Sequence, residues 1–269
     1  MLKPLDWNQY LSADHPWTKR LLGLEPFHKV RDLAQIEREY DQDKYGSLAA
    51  VQLESADLYK QKEYGLVGLT YESEMVLSFG EAIFATQVSF ARAAYYAAVH
   101  SAIAKYYPTK ICELGCGYGA NFSSLGAIAP QVYGGEFSKN AVQIAARLGL
   151  NVQPFNFYDV DSYRLIEDRS LIFTSHSVEQ LPDAQFFLDN LSQHRDKIDG
   201  VVNFEPTFLK ERTSLVGVLR NRYIEVNDYN RNLVKLLKSR SDIEILRFAP
   251  DVIGLNPLNP ACVIEWRFR

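Results

Sequence analysis

From residue 110 onward, short apolar runs of strand length alternate with segments of helical periodicity. The run KICEL at 110–114 precedes a helical segment near 119–128, and VYGGEF at 132–137 precedes SKNAVQIAARLG at 138–149. Strands that alternate with helices at this spacing are typical of βαβ units. They predict a mostly parallel sheet that helices cover on both faces, which makes this alternation the strongest constraint on the fold.

The alternation continues to the end of the chain. Further strand-like runs are NVQPFNF (151–157), SLIFTSH (170–176) and GVVNFEP (200–206), and helices are expected at 182–195 and near 230–240. The last two runs, EILRFAP and CVIEWRFR, have no helix between them, which indicates an antiparallel hairpin at one edge. The predicted fold class is α/β, a Rossmann-like, doubly wound sheet of seven mostly parallel strands that ends in this hairpin.

The first 107 residues have a different pattern, because their apolar residues recur at helical spacing. Helices are expected at 29–42 and over the largely apolar stretch 81–107. No internal repeat and no low-complexity linker separates this part from the rest. We therefore expect a helical N-terminal extension over 1–81 and one α/β domain over 82–269.

Composition and charge exclude several classes of protein. With 47% hydrophobic and 23% charged residues, the chain resembles ordinary soluble globular proteins. A formal net charge of -4 argues against general binding of nucleic acid, which usually needs a basic face. Nowhere do 18 uncharged apolar residues run together, and the N-terminus lacks a signal-peptide core. We expect a cytoplasmic protein without a membrane partner.

Three cysteines, Cys112, Cys116 and Cys262, are too few for a disulfide framework. The first two are four positions apart, and no His or Cys at zinc-ligand spacing accompanies them. Free cysteine is among the most buried residue types. We expect all three to be packing residues, and we expect no metal site.

The turn after the first strand of the α/β part contains three glycines, Gly115, Gly117 and Gly119. A strand that turns sharply into a helix leaves the first helical N–H groups unpaired, and glycine lets a ligand approach that backbone closely. With Ala120 in the last position, the turn also matches the dinucleotide fingerprint. A tight turn that serves packing alone is the alternative interpretation.

Two further segments support an adenosine ligand. Glu136 ends the next strand, 21 positions after Gly115, where a carboxylate accepts hydrogen bonds from ribose hydroxyls. After the third strand, Asn156 and Asp159 are candidate partners for an adenine amino group, with Phe157 or Tyr158 as a ring neighbour. Asp159 is equally well placed to cap the start of a helix, and both interpretations stay open.

The segment ICELGCGYGANF, with Glu113 before its glycines and Glu136 after VYGG, resembles motif I and the following acidic strand end of class I S-adenosylmethionine-dependent methyltransferases. SLIFTSHSVEQLP and VVNFEP are similar to the family's fourth and fifth strands. The resemblance covers residues 82 to 269 and implies S-adenosylmethionine as the cofactor and S-adenosylhomocysteine as its product. The N-terminal extension lies outside the resemblance, and we expect it to cover the substrate pocket as a lid because chains that precede this kind of sheet often fold over the pocket.

By this resemblance, Glu113 and the glycines frame the methionine portion of the cofactor and Glu136 its ribose. The complete set of expected cofactor contacts is Glu113, Gly115, Cys116, Gly117, Gly119, Glu136, Phe137, Asn156, Phe157, Asp159, Ser175 and His176. An NAD-dependent oxidoreductase is the first alternative. It is disfavoured because Glu113 does not belong to the dinucleotide fingerprint and no large second domain follows the sheet. A non-catalytic module that binds the cofactor is the second alternative.

Candidate catalytic residues follow strands four and five, where ligands of open α/β sheets bind. His176 has an unperturbed pKa of about 6.5, which suits a general base near neutrality, although it could equally line the cofactor. Glu205 precedes Pro206, and its carboxylate is a candidate base, an amine-binding group or a cap for the next segment. Methyl transfer needs a base only if the acceptor arrives protonated.

Candidate substrate contacts are Tyr71, Glu179, Tyr223 and Asp228. Asp228 is also a candidate helix N-cap, and Tyr71 is a candidate core residue. The aromatic extension favours an enclosed small molecule or a peptide as substrate, with oxygen or nitrogen as the acceptor atom. The sequence leaves open whether the protein is a monomer or a homodimer.

Overall fold

The computed structural model describes residues 2–269, and these begin with a mixed region rather than a purely helical one. Its helices are α1 (Trp7–Tyr10), α2 (Pro16–Leu21), α3 (Leu33–Ile36), α4 (Gly46–Ala49) and α5 (Ala56–Gly65). A π-helical segment, Glu37–Tyr45, joins α3 to α4. Three short strands, β1 (Lys3–Leu5), β2 (Glu74–Phe79) and β3 (Ala82–Gln87), form an antiparallel sheet in the order β1-β3-β2.

The expected helix over 81–107 is wrong in its first turns. Residues 82–87 are the middle strand β3, and helix α6 (Val88–Ile103) begins only afterwards. Phe79 pairs with Ala82 across a two-residue turn in which Gly80 has a φ of 56°. A Gly-containing two-residue loop between apolar runs is a hairpin signal, and the helical spacing of the downstream residues obscured it.

The large sheet confirms the predicted fold class. Its strands are β4 (Lys110–Leu114), β5 (Gln131–Glu136), β6 (Val152–Pro154), β7 (Ser170–Ser175), β8 (Ile198–Glu205), β9 (Ile243–Ile253) and β10 (Ala261–Phe268). They lie in the order β6-β5-β4-β7-β8-β10-β9. The pairs from β6 to β8 are parallel, and β10 is antiparallel to both of its neighbours.

Short helices connect these strands. They are α7 (Phe122–Leu125), α8 (Lys139–Arg147), α9 (Gln185–Gln193), α10 (Leu215–Val226) and α11 (Leu233–Ser239). Short 3₁₀ segments lie at Ala104–Tyr106, Val160–Leu165, Val178–Gln180 and Arg195–Lys197. Ser138 caps α8, because its Oγ accepts the Ala141 N–H at 3.1 Å. Among residues 2–269, no helix has the length and apolarity needed to cross a membrane.

The expected cap at Asp228 is wrong. Helix α11 begins at Leu233, with Asn232 in the cap position. Asp228 itself has a φ of 52°, and its Oδ2 accepts the backbone N–H of Arg31 at 3.1 Å. A contact with the N-terminal region, 197 positions away, therefore decides the role of this carboxylate.

Apolar side chains fill both faces of the large sheet. Trp266 and Phe187 belong to the core on one face, while Val99 of α6 and Phe204 of β8 belong to the core on the other. Cys112, Cys116 and Cys262 are all buried thiols that form no disulfide, as expected of packing residues, although Cys116 also lines a cavity. A smaller cluster, including Leu48, Tyr59 and Tyr118, holds the N-terminal region against the glycine turn and α8.

Candidate active site

A cavity of about 520 Å³ lies at the carboxyl ends of β4, β5 and β7. Its walls come from the glycine turn after β4, the strand ends of β5 and β7, and the connection between β9 and β10. Side chains of the π-helical segment and of α5 and α6 complete the walls. The site is therefore assembled from both halves of the chain.

The glycines of the turn have different roles. Gly115 and Gly117 line the cavity, and both have positive φ angles, of 75° and 57°. A Cβ on Gly115 would lie 2.4 Å from the Cβ of Ser177, and one on Gly117 would lie 2.5 Å from Tyr45 Oη. Gly119, expected to contact the cofactor, lies away from the cavity.

A Cβ at Gly119 would meet Leu150 at 3.1 Å and Phe122 at 3.3 Å. Its φ of 79° is needed for the turn, and its lack of a side chain allows close helix packing. Gly119 is thus required for packing, whereas Gly115 and Gly117 form part of the cavity wall.

Glu113, before the glycines, is 1% exposed and borders the cavity. Its Oε1 accepts a hydrogen bond from Asn121 Nδ2 at 2.6 Å, whereas its Oε2 has no partner. Burial raises the pKa of this carboxyl to about 8, although the Asn121 hydrogen bond opposes the change. A buried acceptor atom without a partner is costly, which makes Glu113 suited to a ligand that brings a donor.

Glu136 joins the end of β5 to the glycine turn. Its Oε2 accepts the Gly117 N–H and its Oε1 the Ser138 N–H, each at 2.8 Å. Burial raises the pKa of this carboxyl, and these two N–H groups lower it in part. A carboxylate has about four lone-pair sites, so acceptor capacity remains on the cavity side. Phe137 and Cys116 also line the wall here.

After β6, Asn156 and Phe157 line the cavity, together with Tyr158. Asp159 is not among the lining residues. Its carboxylate accepts hydrogen bonds from the N–H of Asp161 at 3.1 Å and the hydroxyl of Ser162 at 2.9 Å. Of the two interpretations left open by the sequence, the structure supports the cap for the 3₁₀ turn.

Ser175 and His176, at the end of β7, both line the cavity. His176 has a φ of 53°, and a third of its side chain is exposed. Its Nδ1 lies 3.5 Å from Glu179 Oε2. Burial lowers the pKa of this imidazole, but the adjacent Glu179 carboxylate outweighs that effect and raises it above the usual value.

Glu205 does not line the cavity, which removes it as a candidate base. It is fully buried, and its carboxylate accepts the N–H groups of Ser177, Val178 and Glu179, each at 3.1 Å. These are the N–H groups of the 3₁₀ turn that follows β7. Of the roles predicted for Glu205, the structure shows that of a cap, although the carboxylate caps the turn after β7 rather than the segment after β8.

The candidate substrate contacts divide in the same way. Glu179 and Tyr223 line the cavity. Tyr71 and Asp228 do not line the cavity. The Tyr71 hydroxyl instead donates a hydrogen bond to Asp57 Oδ1 at 2.7 Å. Arg92, whose guanidinium lies over the Tyr71 ring at 4.6 Å, borders the cavity in place of that tyrosine.

A charged cluster that no sequence pattern indicated lies in the cavity wall. Lys44 and Lys60 both bind Glu63, with Nζ–O distances of 2.9 and 3.0 Å. Tyr118 donates to the same carboxylate at 3.2 Å. The three charged residues lie in polar helical segments whose patterns resemble ordinary solvated faces, so no sequence signal distinguished them.

The position of this cluster depends on a contact made by Asp41. Its Oδ1 accepts hydrogen bonds from Ser138 Oγ at 2.6 Å and from the Asn140 N–H at 2.9 Å. Asp41 lies within a π-helical stretch, a conformation that is rare and often found at functional sites. The contact ties Lys44 and Tyr45 to the start of α8, beside the end of β5.

Counted from β4, the seven strands of the large sheet have the order 3-2-1-4-5-7-6, with the last strand antiparallel and inserted beside the fifth. The cavity opens at the carboxyl ends of the central parallel strands. The fold is that of the class I methyltransferases. Within the described residues, no group of three or more His, Cys, Asp or Glu side chains is arranged to hold a metal ion.

No family model matches the sequence, and no curated protein matches it either. Among solved structures, a magnesium protoporphyrin IX methyltransferase from Synechocystis with bound S-adenosylhomocysteine has a TM-score of 0.49 and 12% identity, over 88% of this chain and 100% of that one. A geranyl diphosphate C-methyltransferase from Streptomyces coelicolor has a TM-score of 0.48 and 9% identity, over 68% and 81%. The assignment of the fold rests on the strand order and connections of this chain.

Proposed function

We propose that this chain is an S-adenosylmethionine-dependent methyltransferase that acts on a small molecule or a peptide in an enclosed pocket. One observation carries the proposal. Two buried carboxylates, Glu113 and Glu136, end adjacent parallel strands on either side of the glycine turn and border one cavity. One of them keeps an unpartnered oxygen, and the other organises the N–H groups of the turn.

The polar groups of the cavity fit the parts of S-adenosylmethionine. The free Oε2 of Glu113 is an acceptor for the ammonium group of the methionine portion, whose positive charge favours the ionised form of this carboxyl. Lys60, which uses one of its three donors on Glu63, is a cation for the carboxylate of that portion. Glu136 retains lone pairs for the ribose hydroxyls. Asn156 and Phe157 suit the adenine ring, because they offer an amide and an aromatic face at the next strand end.

When bound, this cofactor supplies a methyl group on a positively charged sulfur, which an electron-rich acceptor displaces in line. Such a displacement depends mainly on alignment of the reacting atoms. The N-terminal segment supports this requirement, since Tyr40, Lys44 and Tyr45 close the cavity wall over the glycine turn. We propose that residues 1–81 act as a lid that positions the acceptor and excludes water.

His176 is the proposed group that receives a proton from the acceptor. It lies at the end of β7 in the cavity wall, with one ring nitrogen directed to Glu179. The Glu179 carboxylate stabilises the imidazolium that forms when a proton arrives. Glu205 has no part in this step, because its carboxylate is bonded to backbone N–H groups.

Calorimetric titration with S-adenosylhomocysteine tests the cofactor assignment. We expect binding by the wild type and a loss of about tenfold or more in Glu136→Ala, because hydrogen bonds to a charged group contribute about 1.5–3 kcal/mol. Glu244→Ala, which removes a partly exposed carboxylate on β9, is the control and should bind normally. Binding of NADH with no binding of S-adenosylhomocysteine would favour an oxidoreductase and overturn the proposal.

A second titration assigns the methionine end. Lys60→Met should weaken binding of S-adenosylhomocysteine by about tenfold and leave adenosine binding unchanged, because adenosine lacks the carboxylate. Release of S-adenosylhomocysteine from S-adenosylmethionine in the presence of candidate acceptors then tests turnover. Tight cofactor binding without turnover on any acceptor would identify a non-catalytic binding module.

A further inference from the structure

One wall of the cavity, formed by the 178–180 turn and the β9–β10 connection, presents hydrogen-bond acceptors. The carboxylate of Glu179 is 5% exposed. Its Oε1 accepts from Gln180 Nε2 and its Oε2 from Asn259 Nδ2, each at 2.9 Å. Because both amide NH₂ groups point to the carboxylate, the orientation of each amide is determined.

This arrangement leaves two amide oxygens unused. Gln180 Oε1 and Asn259 Oδ1 have no hydrogen-bond partner, although both side chains are more than nine-tenths buried. Both residues line the cavity. A buried acceptor without a partner destabilises the free protein, so a ligand that supplies donors to these oxygens is favoured.

The positive charges near this wall are already engaged. Arg31 stacks on the Tyr229 ring at 4.8 Å and binds Glu39 Oε2 at 2.6 Å. The partial countercharge for Glu179 is His176, at 3.5 Å. The wall therefore keeps a carboxylate and two amide oxygens, and a carboxylate or phosphate ligand would meet the negative charge of Glu179 there.

Aromatic rings surround the same part of the cavity. Tyr40, Tyr223 and Tyr229 line it together with Leu255. Burial, followed by the charge of Glu179, raises the pKa of all three phenols above the usual value, so they stay neutral at physiological pH. Neutral aromatic faces attract cations and accommodate an apolar body.

We propose that the substrate is an amine with an apolar or aromatic body, whose ammonium group is held by Glu179, Gln180 and Asn259. This assignment rests on the proposed methyl-transfer function, because it names the acceptor-side ligand of the same cavity. Three N–H donors on an ammonium group match a carboxylate and two free amide oxygens. An ammonium ligand also neutralises the buried charge of Glu179.

The wild-type protein, saturated with S-adenosylhomocysteine, provides the first test. Calorimetric titrations compare two probes of similar size, phenethylammonium chloride and sodium 3-phenylpropionate. We expect phenethylammonium to bind at least about tenfold more tightly, since charge-assisted hydrogen bonds are stronger than neutral ones. Equal affinities, or tighter binding of the carboxylate, would overturn the proposal without reference to any variant.

Two variants assign the preference to this wall. Glu179→Gln removes the charge at nearly constant volume and should abolish the preference for the ammonium probe. Gln180→Met removes one acceptor oxygen and should weaken phenethylammonium binding several-fold while leaving 3-phenylpropionate binding unchanged. Glu265→Gln, which alters a buried carboxylate on β10 paired with Lys105, is the control for loss of a buried charge.

If both Glu179→Gln and Gln180→Met still bind phenethylammonium more tightly than 3-phenylpropionate by the wild-type factor, the ammonium group binds elsewhere in the cavity and the assignment to this wall is overturned. Failure of the proposed function is read separately, from the titration of S-adenosylhomocysteine into the free protein. Absence of that binding counts against the methyltransferase. Normal binding of S-adenosylhomocysteine without a preference for the ammonium probe counts against the amine alone.

Discussion

The 3₁₀ turn that carries Glu179 depends on the carboxylate of Glu205, and we expect the loss of that carboxylate to reduce stability rather than to slow chemistry alone. Glu205 Oε1 accepts the N–H groups of Ser177 and Val178, and Oε2 accepts the N–H of Glu179. The side chain is fully buried. Water therefore cannot replace these bonds when the carboxylate is removed.

The substitution Glu205→Gln allows the magnitude to be worked out. It keeps the volume and one acceptor oxygen, but the new NH₂ group leaves at least one buried backbone N–H without an acceptor, at a cost of about 1–3 kcal/mol. The remaining bonds change from charged to neutral and lose roughly 1 kcal/mol each. The free energy of unfolding should fall by roughly 3–5 kcal/mol, which corresponds to a decrease in Tm of roughly 6–20 °C for a chain of this size.

Scanning calorimetry of the wild type and Glu205→Gln measures this decrease. Glu244→Gln is the matched control, because it alters a partly exposed carboxylate and should change stability by less than about 0.5 kcal/mol. A Glu205→Gln protein with an unchanged Tm and normal binding of S-adenosylhomocysteine, but without methyl transfer, would refute the capping role. It would restore Glu205 as a candidate base.

Two further predictions concern the glycine turn and the carboxyl before it. Gly115→Ala should lower Tm and weaken binding of S-adenosylhomocysteine more than the control Gly149→Ala does. Both glycines have a similar positive φ, but only the new Cβ at position 115 would clash with another atom, at 2.4 Å. Equal decreases in Tm for the two variants would contradict this prediction. Burial raises the pKa of the Glu113 carboxyl from 4.5 to about 8. Because the folded protein disfavours the ionised form, the contribution of this carboxyl to the free energy of unfolding is fully present below about pH 4.5 and is lost as the pH rises to about 8. Glu113→Gln should therefore flatten the decline in Tm between pH 5 and 8.5, and parallel profiles for the two proteins would contradict the shift.

Local patterns in the sequence were sufficient to predict the large sheet. The alternation of strands and helices, the cap at Ser138 and the closing hairpin depend on neighbouring residues, and the structure has all three. The same local logic failed at residues 82–87. There a strand continues directly into a helix, and only pairing with β1 and β2 distinguishes its residues from a first helical turn.

The candidate site was predictable where a side chain's position follows from a strand end. Glu113, Glu136 and His176 border the cavity because parallel strands bring their carboxyl ends to one edge of the sheet. The roles of Glu205, Asp159 and Asp228 were not predictable in this way. Each carboxylate is bonded to backbone N–H groups, and the sequence does not show which N–H groups lie within reach.

By itself, the sequence determined the sheet, the glycine turn and the strand-end acids, because these depend on short-range periodicity and on the geometry of parallel strands. Only the tertiary structure decided how residues far apart in the chain complete the pocket. Asp41 binds the start of α8, 97 positions away, and brings Lys44 into the wall. Glu179 meets Asn259 across 80 positions. Such contacts depend on how packed elements meet, and that packing is a property of the whole core rather than of any local segment.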